Sequence, residues 1–133
     1  MIYQRITIIR QGKSNEKDIN KDLQWFGSSL GLFNLRDKNS SCFRVFIELL
    51  KSSRKQRPLS SDQLAYMTGL SRGTVIHHIN RLIESGMVVS EKRGYILRVS
   101  NLKVLVDEIE KDMKRTFDDL KEMAKQIDKE LGL

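Results

Sequence analysis

The sequence predicts a mainly α-helical chain with one small β-hairpin and a long C-terminal amphipathic helix. Three observations carry this prediction: a pair of short, capped helices around Gly69, a change to strand-like periodicity after Gly86, and a seam of apolar residues running from Leu102 to Leu131.

The segment Leu59 to Val89 is the most informative. Ser60 with Gln63 forms a capping box, in which each side chain satisfies a backbone N–H left over at the helix start, and Leu59 with Leu64 has the spacing of a hydrophobic staple. Gly69 then ends the helix, because glycine enters the left-handed conformation without a Cβ clash. Ser71 is the next N-cap, Leu70 and Val75 make a second staple, and Gly86 closes the second helix. At ~100° per residue, Val75, Ile76, Ile79, Leu82 and Ile83 share one arc of that helix. Thr74, His77 and Arg81 lie opposite, flanked by His78 and Asn80, and these five are the expected contacts to base edges or phosphates. Arg72 and Ser71, in the first turn, are candidates for a phosphate bound at the helix N-terminus.

After Gly86 the run Met87-Val88-Val89 reads as a strand, Glu91-Lys92-Arg93-Gly94 as a turn, and Tyr95 to Val99 as a second strand. Lys92 and Arg93 at the tip are placed to touch a phosphate backbone or minor groove.

The segment from about Ser40 to Val99 resembles a winged helix-turn-helix domain of the broad group that holds the arsenical-resistance (ArsR) and multiple-antibiotic-resistance (MarR) repressors. Leu64-Ala65, Gly69-Leu70-Ser71, Thr74-Val75, His78-Ile79, Leu82 and Ser85-Gly86-Met87-Val88 carry the resemblance. It implies a dimeric DNA-binding regulator and leaves the effector ligand unknown. The cysteine pair with which many arsenical-type repressors bind metal is absent, so metal sensing is not carried over, and neither a metal site nor a cofactor is expected.

Composition agrees with this reading. Of 133 residues, 24 are Lys or Arg and 17 Asp or Glu, a net charge of +7. Residues 101–133 have a net charge of −2, so the first hundred hold +9, in the part that contains the helix pair and hairpin. Binding by counterion release needs the positive charge there. Cys42, the sole cysteine, excludes an intramolecular disulfide and reads as a small buried hydrophobe. No apolar run approaches the ~20 residues of a membrane span, and the expected location is cytoplasmic. Gly-rich phosphate loops, nucleophile elbows and zinc-protease helices are missing, which argues against an enzyme. His77 and His78 diverge by ~100° on a helix and make a poor chelate.

Upstream, Ile2, Ile6, Ile8 and Ile9 suggest a strand, and Ile19, Leu23, Phe26 and Leu30 a helix broken at Gly31. Trp25 beside that stripe is read as a core or dimer contact rather than the cap of a ligand pocket. Asp37 to Ser41 offers N-caps for a further helix reaching about Ser52. Arg54, Lys55 and Arg57 form a basic loop before the only proline and are candidate backbone contacts.

Downstream, Leu102, Val106, Ile109, Met113, Phe117, Leu120, Ala124, Ile127 and Leu131 recur at three- and four-residue steps. So long a stripe outruns a small domain, and pairing with a second copy through Ile109, Met113, Phe117, Leu120 and Ile127 is the expected solution. The organisation expected is an N-terminal strand/helix extension (1–36), a winged helix-turn-helix DNA-binding domain (37–100) and a dimerisation helix (101–133). The function expected is a sequence-specific homodimer on double-stranded DNA, acting as a repressor because compact proteins of this kind block access. A protein- or RNA-interaction module built on the same scaffold, or a non-specific architectural DNA-binding protein, are the alternatives.

Overall fold

A computed structural model describes residues 1–32 and 40–133. Five helices and one hairpin follow in the order α1 (Ile19–Ser29), α2 (Ser41–Ser53), α3 (Ser61–Thr68), α4 (Arg72–Glu84), β1 (Val88–Glu91), β2 (Gly94–Leu97) and α5 (Leu102–Leu131). This is the predicted class, mainly α with a hairpin and a long terminal helix. Of the N-caps expected between Asp37 and Ser41, Asp37 to Asn39 lie outside the described residues. Ser40 occupies the cap position of α2 with a left-handed backbone (φ 52°) and no side-chain capping bond.

The helix pair forms as its punctuation dictates. Both hydrogen bonds of the Ser60–Gln63 capping box are present, Gly69 is left-handed at φ 72°, and Ser71 Oγ accepts from the Thr74 N–H. Arg44 of α2 fixes the turn from outside by donating to the Thr68 carbonyl at the end of α3. The charge-assisted bond satisfies a carbonyl left over at a helix C-terminus.

β1 and β2 pair antiparallel from Val88 opposite Leu97 to Glu91 opposite Gly94, leaving Lys92 and Arg93 as a two-residue turn. A third, one-residue strand completes the sheet, where Leu59 and Tyr95 exchange both backbone hydrogen bonds at 2.9 and 2.8 Å. Gly94 has φ 146°, and a Cβ there would lie 2.4 Å from the Leu59 carbonyl oxygen, so only glycine lets the hairpin close against this strand.

The core is built from Val45, Phe46 and Leu49 of α2, Leu64 of α3, Val75, Ile79 and Leu82 of α4, Met87, Val88 and Leu97 of the hairpin, and Leu105 and Ile109 of α5. Leu30 and Leu32 join it from the end of α1, and Cys42 is buried within it. Each of the three stretches expected from the sequence therefore contributes to one core.

The N-terminus corrects one expectation. Residues 1–18 form no strand; they run as an extended strap across the domain. The strap is held by Arg5 N–H to the Glu84 carbonyl (2.9 Å) and Ile9 N–H to the Ser29 carbonyl (2.8 Å). Alternation gives the extended conformation, but a strand needs a neighbouring edge, and the strap lies against helix ends instead.

A second correction concerns α5. Leu105 and Ile109 are buried in the chain's own core and Met113 is packed against it, whereas every residue from Lys114 to Leu133 is exposed. Ile109 is thereby unavailable to a second copy. The helix of 30 residues is ~45 Å long, and its last ~27 Å projects beyond the domain.

Candidate nucleic-acid interface

The face of α4 is set by what it buries. Val75, His78, Ile79 and Leu82 are its buried residues, an arc turned by ~50° from the one the apolar residues alone suggest. His78 accordingly sits inside, 6 % exposed, and cannot meet a base edge from there. Ile83, counted to the core by its apolar character, is exposed.

Arg81 is half-buried, and its guanidinium reaches the Gly31 carbonyl at 3.5 Å, beneath the strap. Thr74 is half-buried too, its Oγ1 accepting from the Ser71 hydroxyl at 2.8 Å while the Thr74 N–H donates back at 3.2 Å. Ser71 thus spends its hydroxyl on the helix cap. Ser71, Arg72, His77 and Asn80 are exposed, together with Gly73, which had not been singled out. Gly73 has nothing within 4 Å of where a Cβ would stand, so another surface could approach the backbone of α4 closely at this turn.

Arg72 is within 3.5 Å of Asp62 in the first turn of α3, with both side chains well exposed. The pair sits where the N-termini of the two helices meet. Its partner was missed in the sequence because ten residues separate the two; the fold of the turn brings them together. An exposed pair of this kind is weak and exchanges readily for a phosphate. Asp62 would compete for the guanidinium with any phosphate placed there.

The remaining basic candidates are all at the surface. Lys92 and Arg93 project from the hairpin tip, and Arg54, Lys55 and Arg57 from the loop between α2 and α3. Tyr66 of α3 is 91 % exposed, an aromatic ring that the helical pattern had not marked.

A charge cluster around the buried Asp112 joins four parts of the chain. Asp112 of α5, 7 % exposed, accepts from Arg98 Nη1 at 2.5 Å, from Gln4 Nε2 at 2.9 Å and from Arg115. Gln4 Nε2 also donates to the Ser85 carbonyl at the end of α4 (3.0 Å), and Arg98 reaches Glu108 at 3.4 Å. The Arg98 guanidinium, above all, with help from Gln4 and Arg115, holds the Asp112 carboxyl down to about 2. The same hydrogen bond raises Arg98. The strap, the end of α4, the hairpin exit and α5 are thus tied at one point.

An open cleft of about 760 Å³ lies between the strap, α1 and α5, lined by Ile8, Ile9, Trp25, Phe26, Leu30 and Val106. Trp25 forms part of its wall, with its indole N–H donating to the Gln11 carbonyl at 3.2 Å.

Residues 47–90, from the middle of α2 into β1, match the family model of bacterial regulatory proteins of the arsR family. The segment is an ArsR-like winged helix-turn-helix. No curated protein matches the chain. The matched segment contains α3, the Gly69 turn, α4 and the start of the wing, and it supports a DNA-binding regulator of transcription. It covers well under half of the chain and leaves out the strap, α1 and α5. Among the described residues, no cluster of His, Cys, Asp or Glu has the arrangement of a metal site, and no helix is long and apolar enough to cross a membrane.

Proposed function

We propose that the chain is a homodimeric, sequence-specific repressor that enters the major groove of double-stranded DNA with the exposed face of α4. The observation that supports it best is the division of α4 within the arsR-type segment. One side is sealed into the core through Val75, Ile79 and Leu82, while Arg72, Gly73, His77 and Asn80 stand exposed. Asn80 and His77 are the base-reading candidates, since an amide can bond adenine bidentately and an imidazole can donate to guanine or accept from an amino group.

Arg72, Lys92, Arg93 and the loop of Arg54, Lys55 and Arg57 carry the phosphate contacts that set register without reading sequence. Arg81 and His78 act from within. The first reaches the Gly31 carbonyl after α1 and the second fills the core side of α4, so their effect on DNA runs through the position of the helix. Dimerisation through the projecting part of α5, at Phe117, Leu120 and Ile127, would present two α4 helices to two half-sites, and repression would follow from occupying a site that polymerase needs.

Binding to genomic fragments, including the region upstream of the chain's own gene, at two salt concentrations tests this. The expected result is one or a few fragments bound far more tightly than the rest, with a residual difference at the higher salt. Equal binding of all fragments, collapsing together as salt rises, would instead describe an architectural protein, and no binding would leave a protein- or RNA-interaction module.

A further inference from the structure

From Met113 onward the apolar residues of α5 follow the steps four, three, four, three, four through Phe117, Leu120, Ala124, Ile127 and Leu131. This is an uninterrupted heptad seam. All of it beyond Met113 is exposed, Phe117, Leu120, Ile127 and Leu131 by 46–68 %. The geometry points to a second copy of this helix as its occupant, running antiparallel, with Met113 against Leu131, Phe117 against Ile127, and Leu120 against Ala124 of the other chain. This inference deepens the dimeric reading above and rests on it for the identity of the partner.

Two features of the seam choose the direction. The first is volume. With the helices parallel, Ala124 would face Ala124 and Phe117 would face Phe117, a gap in one layer and crowding in another. Antiparallel, Phe117 meets the smaller Ile127 and Leu120 meets Ala124, while Met113 and Leu131 match in size, so no layer is crowded or empty.

The second is charge. In the antiparallel register the positions flanking the core bring Lys114 against Asp128 of the other copy, twice by symmetry. Lys121 meets Lys121 of the other copy, one like-charge contact against those two attractive ones, and Met123 faces Met123 on the other flank. Met123 is 55 % exposed on the projecting helix, and this arrangement extends the apolar contact over it. Parallel helices would instead place Lys114 and Asp128 ~21 Å apart along the axis and set Thr116 against Lys121 and Met123 against Asp128, with no opposite charges facing. Lys114 is within 3.2 Å of Asp118 one turn along its own helix, and both remain exposed, so it can swing to the new partner.

The register also has a consequence for spacing. The dyad falls level with residue 122, ten residues from the Asp112 joint, so the two joints stand ~30 Å apart along the coil. That is of the same order as the ~34 Å between successive major grooves on one face of DNA. A parallel pair would hold the joints side by side.

Leu120→Cys and Ala124→Cys chains, oxidised separately and as a mixture, test the direction. In the antiparallel register each cysteine lies ~6 Å along the axis from its own mate, which adds to the lateral separation and takes the pair out of disulfide range, whereas 120 and 124 of different chains meet. Cross-linked dimer in the mixture alone is the expected result, and the parent chain with its buried Cys42 is the blank.

Lys114→Glu should raise the dimer dissociation constant by roughly tenfold, and Lys114→Glu with Asp128→Lys should restore it, since the swapped pair attracts again. Circular dichroism keeps helix loss apart from dissociation. Cross-linking of each single variant with itself, or a charge swap that fails to restore, overturns the antiparallel register while leaving a dimer in place. A parent chain that light scattering finds monomeric overturns the dimer as well. Fragment binding, measured separately, reports on the DNA reading whichever way these fall.

Discussion

Asp112→Asn isolates the joint between α5 and the winged domain. The carboxyl is held at about 2 against an ordinary value of 3.8. That difference of nearly two units corresponds to about 2 kcal/mol, at 1.36 kcal/mol per unit. Because the folded value is the lower one, the contribution is fully present above the unfolded value and is lost as pH falls from about 5 towards 2. The groups that meet this carboxyl are Arg98 from the hairpin exit, Arg115 from α5 and Gln4 from the strap, with Glu108 paired to Arg98. The amide is nearly isosteric, and an oxygen in the place of Oδ2 still accepts from Gln4 and from Arg98 Nη1, but the negative charge that pairs with Arg98 and Arg115 is gone.

Urea unfolding at fixed protein concentration, from pH 7 down to pH 2, gives the comparison. The parent should exceed the variant by about 2 kcal/mol at pH 7, and the gap should narrow steadily below pH 5 and close near pH 2. Other carboxylates titrate in both proteins alike and cancel in the difference. A gap that is absent at neutral pH, or one that persists unchanged into acid, would refute the account of the joint.

Four further outcomes follow from the interface and the wing. Asn80→Ala should cost ~1–3 kcal/mol of specific binding and relax selectivity at one base position, read from competition with single-base operator variants. Lys92→Ala with Arg93→Ala should weaken binding to every sequence and reduce the slope of log K against log salt by up to about 2, because two phosphate contacts are lost. Asp62→Asn should tighten DNA binding and steepen that slope, since it frees Arg72 and removes a negative charge near the backbone; unchanged affinity would mean Arg72 stays off the DNA. Gly94→Ala should destabilise the fold by at least ~1–3 kcal/mol in chemical denaturation, because its Cβ meets the Leu59 carbonyl at 2.4 Å and φ 146° suits glycine alone.

Much of this fold is local in origin and therefore legible. Ser60, Gln63, Gly69 and Ser71 act within four residues of their partners, so the helix pair could be drawn from the sequence alone. The hairpin was legible for the same reason, although its strands begin and end one or two residues away from the apolar runs. What depends on distant packing was not. The rotation of α4 is decided by what packs on it, α2, α3 and the hairpin, which leaves His78 buried and Ile83 out; apolar counting averages over that choice. The strap has the alternation of a strand, yet a strand is defined by a neighbour some eighty residues away or more, and none lies there.

The apolar seam of α5 is continuous, so nothing in its period tells where the core stops and the projection starts. Leu105 and Asp112 mark that boundary. Asp112 is one turn beyond Glu108 on the side that also carries Leu105 and Ile109, a placement that could have flagged a buried carboxylate awaiting Arg98. The candidate site was legible in its exposed half: His77, Asn80 and the basic tips are exposed as the helix period and turn chemistry place them. Arg72, whose angle points towards the apolar side, is exposed because it lies in the first turn beside Asp62. The competing Asp62 and the inward turn of Arg81 required the tertiary structure.

In the proposed dimer the projecting helix would behave as a ruler. It is one unbroken rod, fixed at Asp112 to the body that holds α4, so in the proposed dimer its length between that joint and the dyad would set the distance between the two reading heads. Inserting one residue there would turn the seam by ~100° and spoil pairing, whereas inserting seven would nearly preserve the seam and lengthen each arm by ~10 Å. Operator spacing could therefore diverge between descendants of such a chain in discrete jumps of whole heptads, with the base-reading residues left untouched.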